Sequence, residues 1–287
     1  MRKVDQPLSL VAQTGNNCWK TGLLSVTFRD QTVDQIIGMT KKAGLDGIEW
    51  GGDIHVPAGD LKNAEKVGRA TEQAGLQVSA YGSYYRCDGG PDGNREWIQC
   101  GQEVVETAQA LGAPIVRIWA GRKGSLQCSP GERKLIIGRI LHLADLAADS
   151  GIRVGIEFHP GTLTDTNNSA LELMRQIGHP NVYSYWQPVP GKSIRYRADG
   201  LRLLVPYLCN LHVFHWGPAG GTDRRELSEG RSEWEIYLGI LEEAEFRSWM
   251  SLEFVRNNSP EQFYRDSKTL RTMIESRKLE IGEYSYE

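Results

Sequence analysis

The sequence predicts one α/β domain spanning residues 1–287, a single (β/α)8 barrel in which parallel strands alternate with helices. Three observations lead there. A helical stretch, a glycine and a short β-branched or apolar run follow one another in KKAGLDGIEW, TEQAGLQVSA, AQALGAPIVRIW, AADSGIRVGIEF and RQIGHPNVYSYW. Gly44, Gly75, Gly112, Gly151 and Gly178 can each take the left-handed conformation that ends a helix, so the chain turns straight into a strand. The runs LLSVTF, LCNLHVF and SWMSLEF bring the strands to eight. No linker or composition break divides the 287 residues, a length that suits a barrel of about 250. An open doubly wound sheet is the alternative, because a strand count does not show closure.

Taken in order, the strands fall near residues 23–28, 45–50, 76–81, 114–119, 152–158, 182–187, 208–214 and 249–254, with LSLVA at 8–12 competing for the first. Alternate side chains point to opposite faces of a strand. One parity is nearly all apolar and should pack under the helices: Val26 and Phe28, Leu76, Val78 and Ala80, Val116 and Ile118, Val154, Ile156 and Phe158, Leu211 and Val213, Leu252 and Phe254. The other should point into the barrel, and it is polar: Ser25 and Thr27, Glu49, Ser79 and Tyr81, Arg117 and Trp119, Arg153, Glu157 and His159, Tyr185 and Gln187, Asn210 and His212, Ser251 and Glu253. An isolated buried charge costs many kcal/mol, so such an interior must be paired, hydrogen-bonded or metal-bound.

Composition narrows the partners. Net charge is -3 and no Lys/Arg-rich block occurs, which argues against nucleic acid. No apolar run reaches the ~18 residues of a membrane span and no signal peptide is visible, so a cytoplasmic protein acting on a small molecule is expected, with a homo-oligomer compatible with it. Five cysteines without CxxC spacing indicate neither a disulfide framework nor a thiolate zinc site. The absence of GxGxxG and GxxxxGK[ST] leaves no nucleotide cofactor indicated.

Glu157, Gln187, His212 and Glu253 fall late in strands five to eight, at the end where barrels of this kind carry their active sites. Two carboxylates, an imidazole and an amide can converge there as oxygen and nitrogen ligands of a divalent ion such as Mn²⁺, Mg²⁺, Co²⁺ or Zn²⁺. The bland alternative is a buried ionic network, for instance Glu157 with Arg153 or Arg117.

The segments GLDGIEWGGDIHVP, GIEFHPG, NLHVFHW and SLEF resemble the xylose-isomerase-like TIM-barrel superfamily, in its sugar phosphate isomerase/epimerase branch, over nearly the whole chain. The resemblance implies a metal ligand from each of strands five to eight: Glu, Asp, His and Glu. Glu157, His212 and Glu253 match, whereas Gln187 stands where the family has Asp. The resemblance further implies an isomerase or epimerase of a sugar or keto-sugar, with Glu157 and Glu253 as catalytic residues passing a proton through a metal-stabilised enediolate. A lyase or dehydratase on a related keto-polyol, or a catalytically silent sugar-binding barrel, is the alternative. A DNA-repair endonuclease of the same superfamily needs more His/Asp ligands and a basic groove.

Substrate contacts are expected from His159, on the same face as Glu157, from His55 in the loop after strand two, and from Arg117. Each has a structural alternative, a satisfied histidine or a neutralised glutamate. Trp19 and Trp119 are the tryptophans expected to stack on a sugar, whereas Trp50 and Trp186 have the parity of helix packing. Arg224 and Arg225, in the glycine-rich loop after strand seven, suit a lid or an anion contact as well as a solvated loop.

Overall fold

The structure, a computed structural model, describes residues 19–88 and 96–283. Eight parallel strands close into a ring: β1 (Lys20–Leu24), β2 (Gly47–Gly51), β3 (Gln77–Gly82), β4 (Ile115–Ile118), β5 (Arg153–Glu157), β6 (Val182–Trp186), β7 (Leu208–Val213) and β8 (Trp249–Leu252). The seam between first and last runs from Lys20 opposite Trp249 to Leu23 opposite Leu252. Helices α1 (Val33–Lys42), α2 (Leu61–Gln73), α3 (Glu96–Leu111), α4 (Pro130–Asp149), α5 (Asn167–Ile177), α6 (Ile194–Leu204), α7 (Arg231–Glu243) and α8 (Pro260–Glu283) follow the strands in alternation. The fold is a (β/α)8 barrel. Gly44, Gly75, Gly112, Gly151 and Gly178 all have positive φ, between 53° and 81°, so the helix-to-strand turns are made as the sequence predicts. Helix starts are equally local: Thr32 with Gln35 and Ser129 with Glu132 form reciprocal capping boxes on α1 and α4.

Two expectations are corrected. The first strand lies earlier than 23–28, because the chain leaves the ladder after Leu24 and winds a 3-10 turn over Ser25–Phe28. The hydroxyls of that turn take amides on both sides, one at the end of β2 and one just beyond β8: Ser25 Oγ accepts from Gly51 and Thr27 Oγ1 from Phe254. The competing run at 8–12, like Cys18, lies outside the described residues.

The second correction is in β3. Ile48 pairs with Val78 but Glu49 with Ala80, so Ser79 is an extra residue in a β-bulge. The bulge reverses the faces beyond it. Ala80 turns inward, into a small cluster with Ile115, Tyr183, Tyr185 and Cys209, whereas Tyr81 turns outward and donates to the Val56 carbonyl.

That cluster fills the floor of the barrel, where Gly155 leaves room for the Tyr185 ring. The larger core lies between strands and helices. There Trp50 donates to Thr71 on α2 and Trp186 packs edge-on against Trp234 and Tyr237 of α7. Among the described residues no helix is long and apolar enough to cross a membrane.

Candidate active site

Above the floor lies a charged layer supplied by five strands. Glu49 comes from β2, Arg117 from β4, Glu157 from the end of β5, His212 from β7 and Glu253 from the residue after β8. All are at least 90% buried. Arg117 bridges two carboxylates, its Nε 2.6 Å from Glu49 and its Nη1 on Glu157 Oε2. It is therefore the neutralising partner that sequence offered as one alternative. Arg153, the other, lies beside the Tyr183 ring.

Glu157 Oε2 also accepts the indole N–H of Trp119. Burial works against ionising this carboxyl, but Arg117, His212 and His159 outweigh it and hold the pKa far below the carboxylate range. Glu253 goes the other way: burial, together with the charges of Glu157 and Glu49, pushes its pKa up to about 7 against the pull of His212 and Arg117. Burial alone would depress His212, yet Glu253 and Glu49 raise it to about 10.

His212 Nδ1 faces oxygen on three sides, with Glu157 Oε1 and Glu253 Oε2 each at 3.6 Å and Gln187 Oε1 at 3.2 Å. Gln187 is held in that orientation because its amide nitrogen donates to the Phe158 carbonyl at 2.7 Å. The donor set fits a cation. With His212 and Glu253 both deprotonated, three carboxylates against one guanidinium leave two negative charges, which protons on these two groups offset without a cation and which a divalent ion could offset in their place. Among the described residues, Glu157, His212 and Glu253 form one group of metal-type ligand atoms, all within 4.8 Å of one another.

The mouth is aromatic and cationic. Trp119 lies between Tyr84, with centroids 5.2 Å apart, and His159, at 4.8 Å, with the Arg86 guanidinium 3.8 Å from its ring centre. His159 Nδ1 is 2.7 Å from the Pro160 carbonyl, which can only accept. The ring proton therefore sits on Nδ1 and leaves Nε2 as an acceptor. Arg224 lies over Phe254 at 4.3 Å and donates to Asn258. Tyr84 and Phe254 have positive φ, 59° and 49°, which is strained backbone for aromatic residues on both sides of the mouth.

Three expected substrate contacts lie elsewhere. Trp19 precedes β1, at the opposite end of the barrel, and donates to Phe246 before β8. His55 packs on the outward-facing Trp50 and contacts the Gln31 carbonyl. Arg225 is spent on Asp223, two residues away in its own exposed loop. Glu49, Tyr84 and Arg86 are residues of the centre and mouth that sequence reasoning did not select. For Glu49 the signal was its inward parity; Tyr84 and Arg86 lie in a loop that strand periodicity does not reach.

A sequence profile described as xylose isomerase-like TIM barrel matches residues 37–273. The chain belongs to the xylose isomerase-like TIM barrel family. Within the family, this barrel is 29% identical over 167 residues to a 3-dehydroshikimate dehydratase of Bacillus anthracis, a stretch covering 57% of this chain and 59% of that protein. The solved structure of the IOLI protein with a bound zinc atom superposes with a TM-score of 0.73 at 18% identity, covering 90% of this chain and 98% of that one. L-ribulose 3-epimerase gives 0.71 at 13% identity, covering 94% and 99%. At such identities the superpositions speak for the shared fold.

Proposed function

We propose that this xylose isomerase-like barrel is a metal-dependent lyase that removes water from a small polyhydroxylated ketone, of the kind 3-dehydroshikimate represents. The observation that carries the reading is the grip on Glu157. Arg117 and Trp119 both donate to its Oε2, so it stays ionised and is a poor proton carrier. A proton relay between two glutamates, as an epimerase or isomerase of this architecture requires, is thereby weakened. Dehydration next to a carbonyl needs one carrier: a base takes the proton beside the carbonyl, the neighbouring hydroxyl departs with that proton as water, and a C=C bond forms.

His159 suits this task, with an accepting Nε2 and its ring fixed against Trp119. Glu157, His212, Glu253 and the Gln187 carbonyl would hold a divalent ion, which when bound polarises the substrate carbonyl. Trp119 and Tyr84 offer flat faces to the substrate, and Arg224 a guanidinium at the rim. The 29% identity to a dehydratase supports the same direction.

The isomerase or epimerase reading keeps one specific support, the carboxyl of Glu253 with a pKa near 7, able to return a proton. Incubation of the Mn²⁺-supplemented protein in D₂O separates the two, with 3-dehydroshikimate and ketohexoses as substrates. Loss of one water from the ketone is the expected result. Deuterium entering a sugar that keeps all its oxygens would establish the isomerase reading instead, and neither outcome would leave a sugar-binding barrel without chemistry.

A further inference from the structure

Glu49 belongs to the charged layer, yet nothing in the reaction above uses it. Its two oxygens face different groups. Oε1 takes the Nε–H of Arg117 at 2.6 Å, whereas Oε2 is buried without a hydrogen-bond partner among the described residues and lies 3.5 Å from His212 Nε2, itself buried and likewise unpartnered. A buried polar atom left alone costs about 1–3 kcal/mol, so two such atoms facing each other gain by sharing a proton. A carboxylate oxygen can only accept, which places the proton on Nε2.

We propose that Glu49 is the positioning residue of the centre: it keeps a proton on His212 Nε2, so that Nδ1, which faces Glu157, Glu253 and Gln187, is the nitrogen that gives up its proton to a cation. The inference rests on the reading of those residues as a cation site. Its geometry is set by Arg117, which holds Glu49 Oε1 and thereby aims Oε2 across the barrel at β7. Histidines that bind metal commonly give their other N–H to a carboxylate, which fixes both tautomer and ring angle. Here the carboxylate comes from β2, three strands from β7 around the closed ring.

The same geometry makes Glu49→Gln an inverting substitution. Arg117 Nε–H only donates, so the new carbonyl oxygen stays with it and the NH₂ is turned on His212 Nε2. The ring must then accept there and carry its proton on Nδ1, where the cation belongs. Affinity for Zn²⁺, read by chelator competition, is expected to fall about 10–100-fold in Glu49→Gln. Glu49→Asp, which keeps an accepting but shorter side chain, should fall between the two. In the Zn²⁺-loaded wild-type protein, ¹⁵N NMR of the imidazole should show Nε2 protonated and Nδ1 metal-bound. This second measurement decides the matter even where Glu49→Gln does not fold. Zinc on Nε2, or native affinity in a folded Glu49→Gln protein, overturns the role of Glu49 while leaving the cation site standing. A wild-type protein that takes up no divalent ion overturns the site and this inference together.

Discussion

At the scale of single residues, the centre is a set of groups with unequal freedom to hold protons. Glu157 is pinned by two donors and His159, among the described residues, by none at Nε2, so substituting them should have different consequences. His159→Gln is expected to lower kcat by about 10²–10⁴-fold while chelator titration shows unchanged metal affinity. A parallel loss of metal would mean that His159 serves the ligand set and not the substrate. Metal uptake should itself release protons, because near neutrality His212, at about 10, is protonated and Glu253, at about 7, is about half so before a cation arrives. The sign is that affinity rises with pH. The logarithm of the binding constant should climb with a slope near two below about pH 7 and near one above it, and a flat profile by chelator titration would contradict the assignment of both ligands. Much of this set was legible in the sequence, since Glu157, His212 and Glu253 share inward parity at matching strand ends. The grip of Trp119 on Glu157 was not, because it depends on how far two side chains reach between adjacent strands.

At the scale of elements, local chemistry explains both what the sequence reveals and where it misleads. Glycine-ended helices announce their strands because the turn is written in one residue. The first strand was misplaced because Ser25 and Thr27 look like strand residues, yet their hydroxyls satisfy neighbouring amides and release the backbone from the ladder. In β3 a one-residue bulge exchanged Ala80 with Tyr81, and strict alternation cannot foresee a bulge. Beyond the strands, α8 is tied to the loop after β7 by Asp266, which accepts from the Leu227 amide and from Gln262. Burial raises this carboxyl from 3.8 to about 6, despite the donors. The native state therefore keeps a proton that the unfolded chain gives up, and the group's contribution to stability is lost as pH rises from about 4 to about 6. At about 1.4 kcal/mol per unit this amounts to roughly 3 kcal/mol. Asp266→Asn keeps the accepting oxygen without the titration, so its stability relative to wild type should improve across that window and level off above it. Urea unfolding at successive pH values measures the difference, and a constant offset would show that Asp266 ionises alike in both states.

At the scale of the whole molecule, the ring depends on close approach inside and tolerates change outside. A Cβ on Gly155 would meet the Tyr185 ring at 2.4 Å and Cys209 Sγ at 3.1 Å, in the floor directly beneath His212. Gly155→Ala is expected to cost about 1–3 kcal/mol by overpacking and to weaken metal binding through the displaced ring. Gly138→Ala, on α4 with nothing within 4 Å of the added carbon, should instead stabilise by about 0.5–1 kcal/mol. Thermal unfolding of the two variants compares them directly, and equal effects would mean that the floor can yield. The closure of β8 onto β1 also sets an order in time. Among the proposed ligands, Glu157 ends the fifth strand and Glu253, nearly a hundred residues later, follows the last. On the ribosome the proposed ligands are therefore strangers to one another until the last strand is made, and the full set cannot precede the closed ring. A cation held by all four would be taken up by a barrel that has already closed.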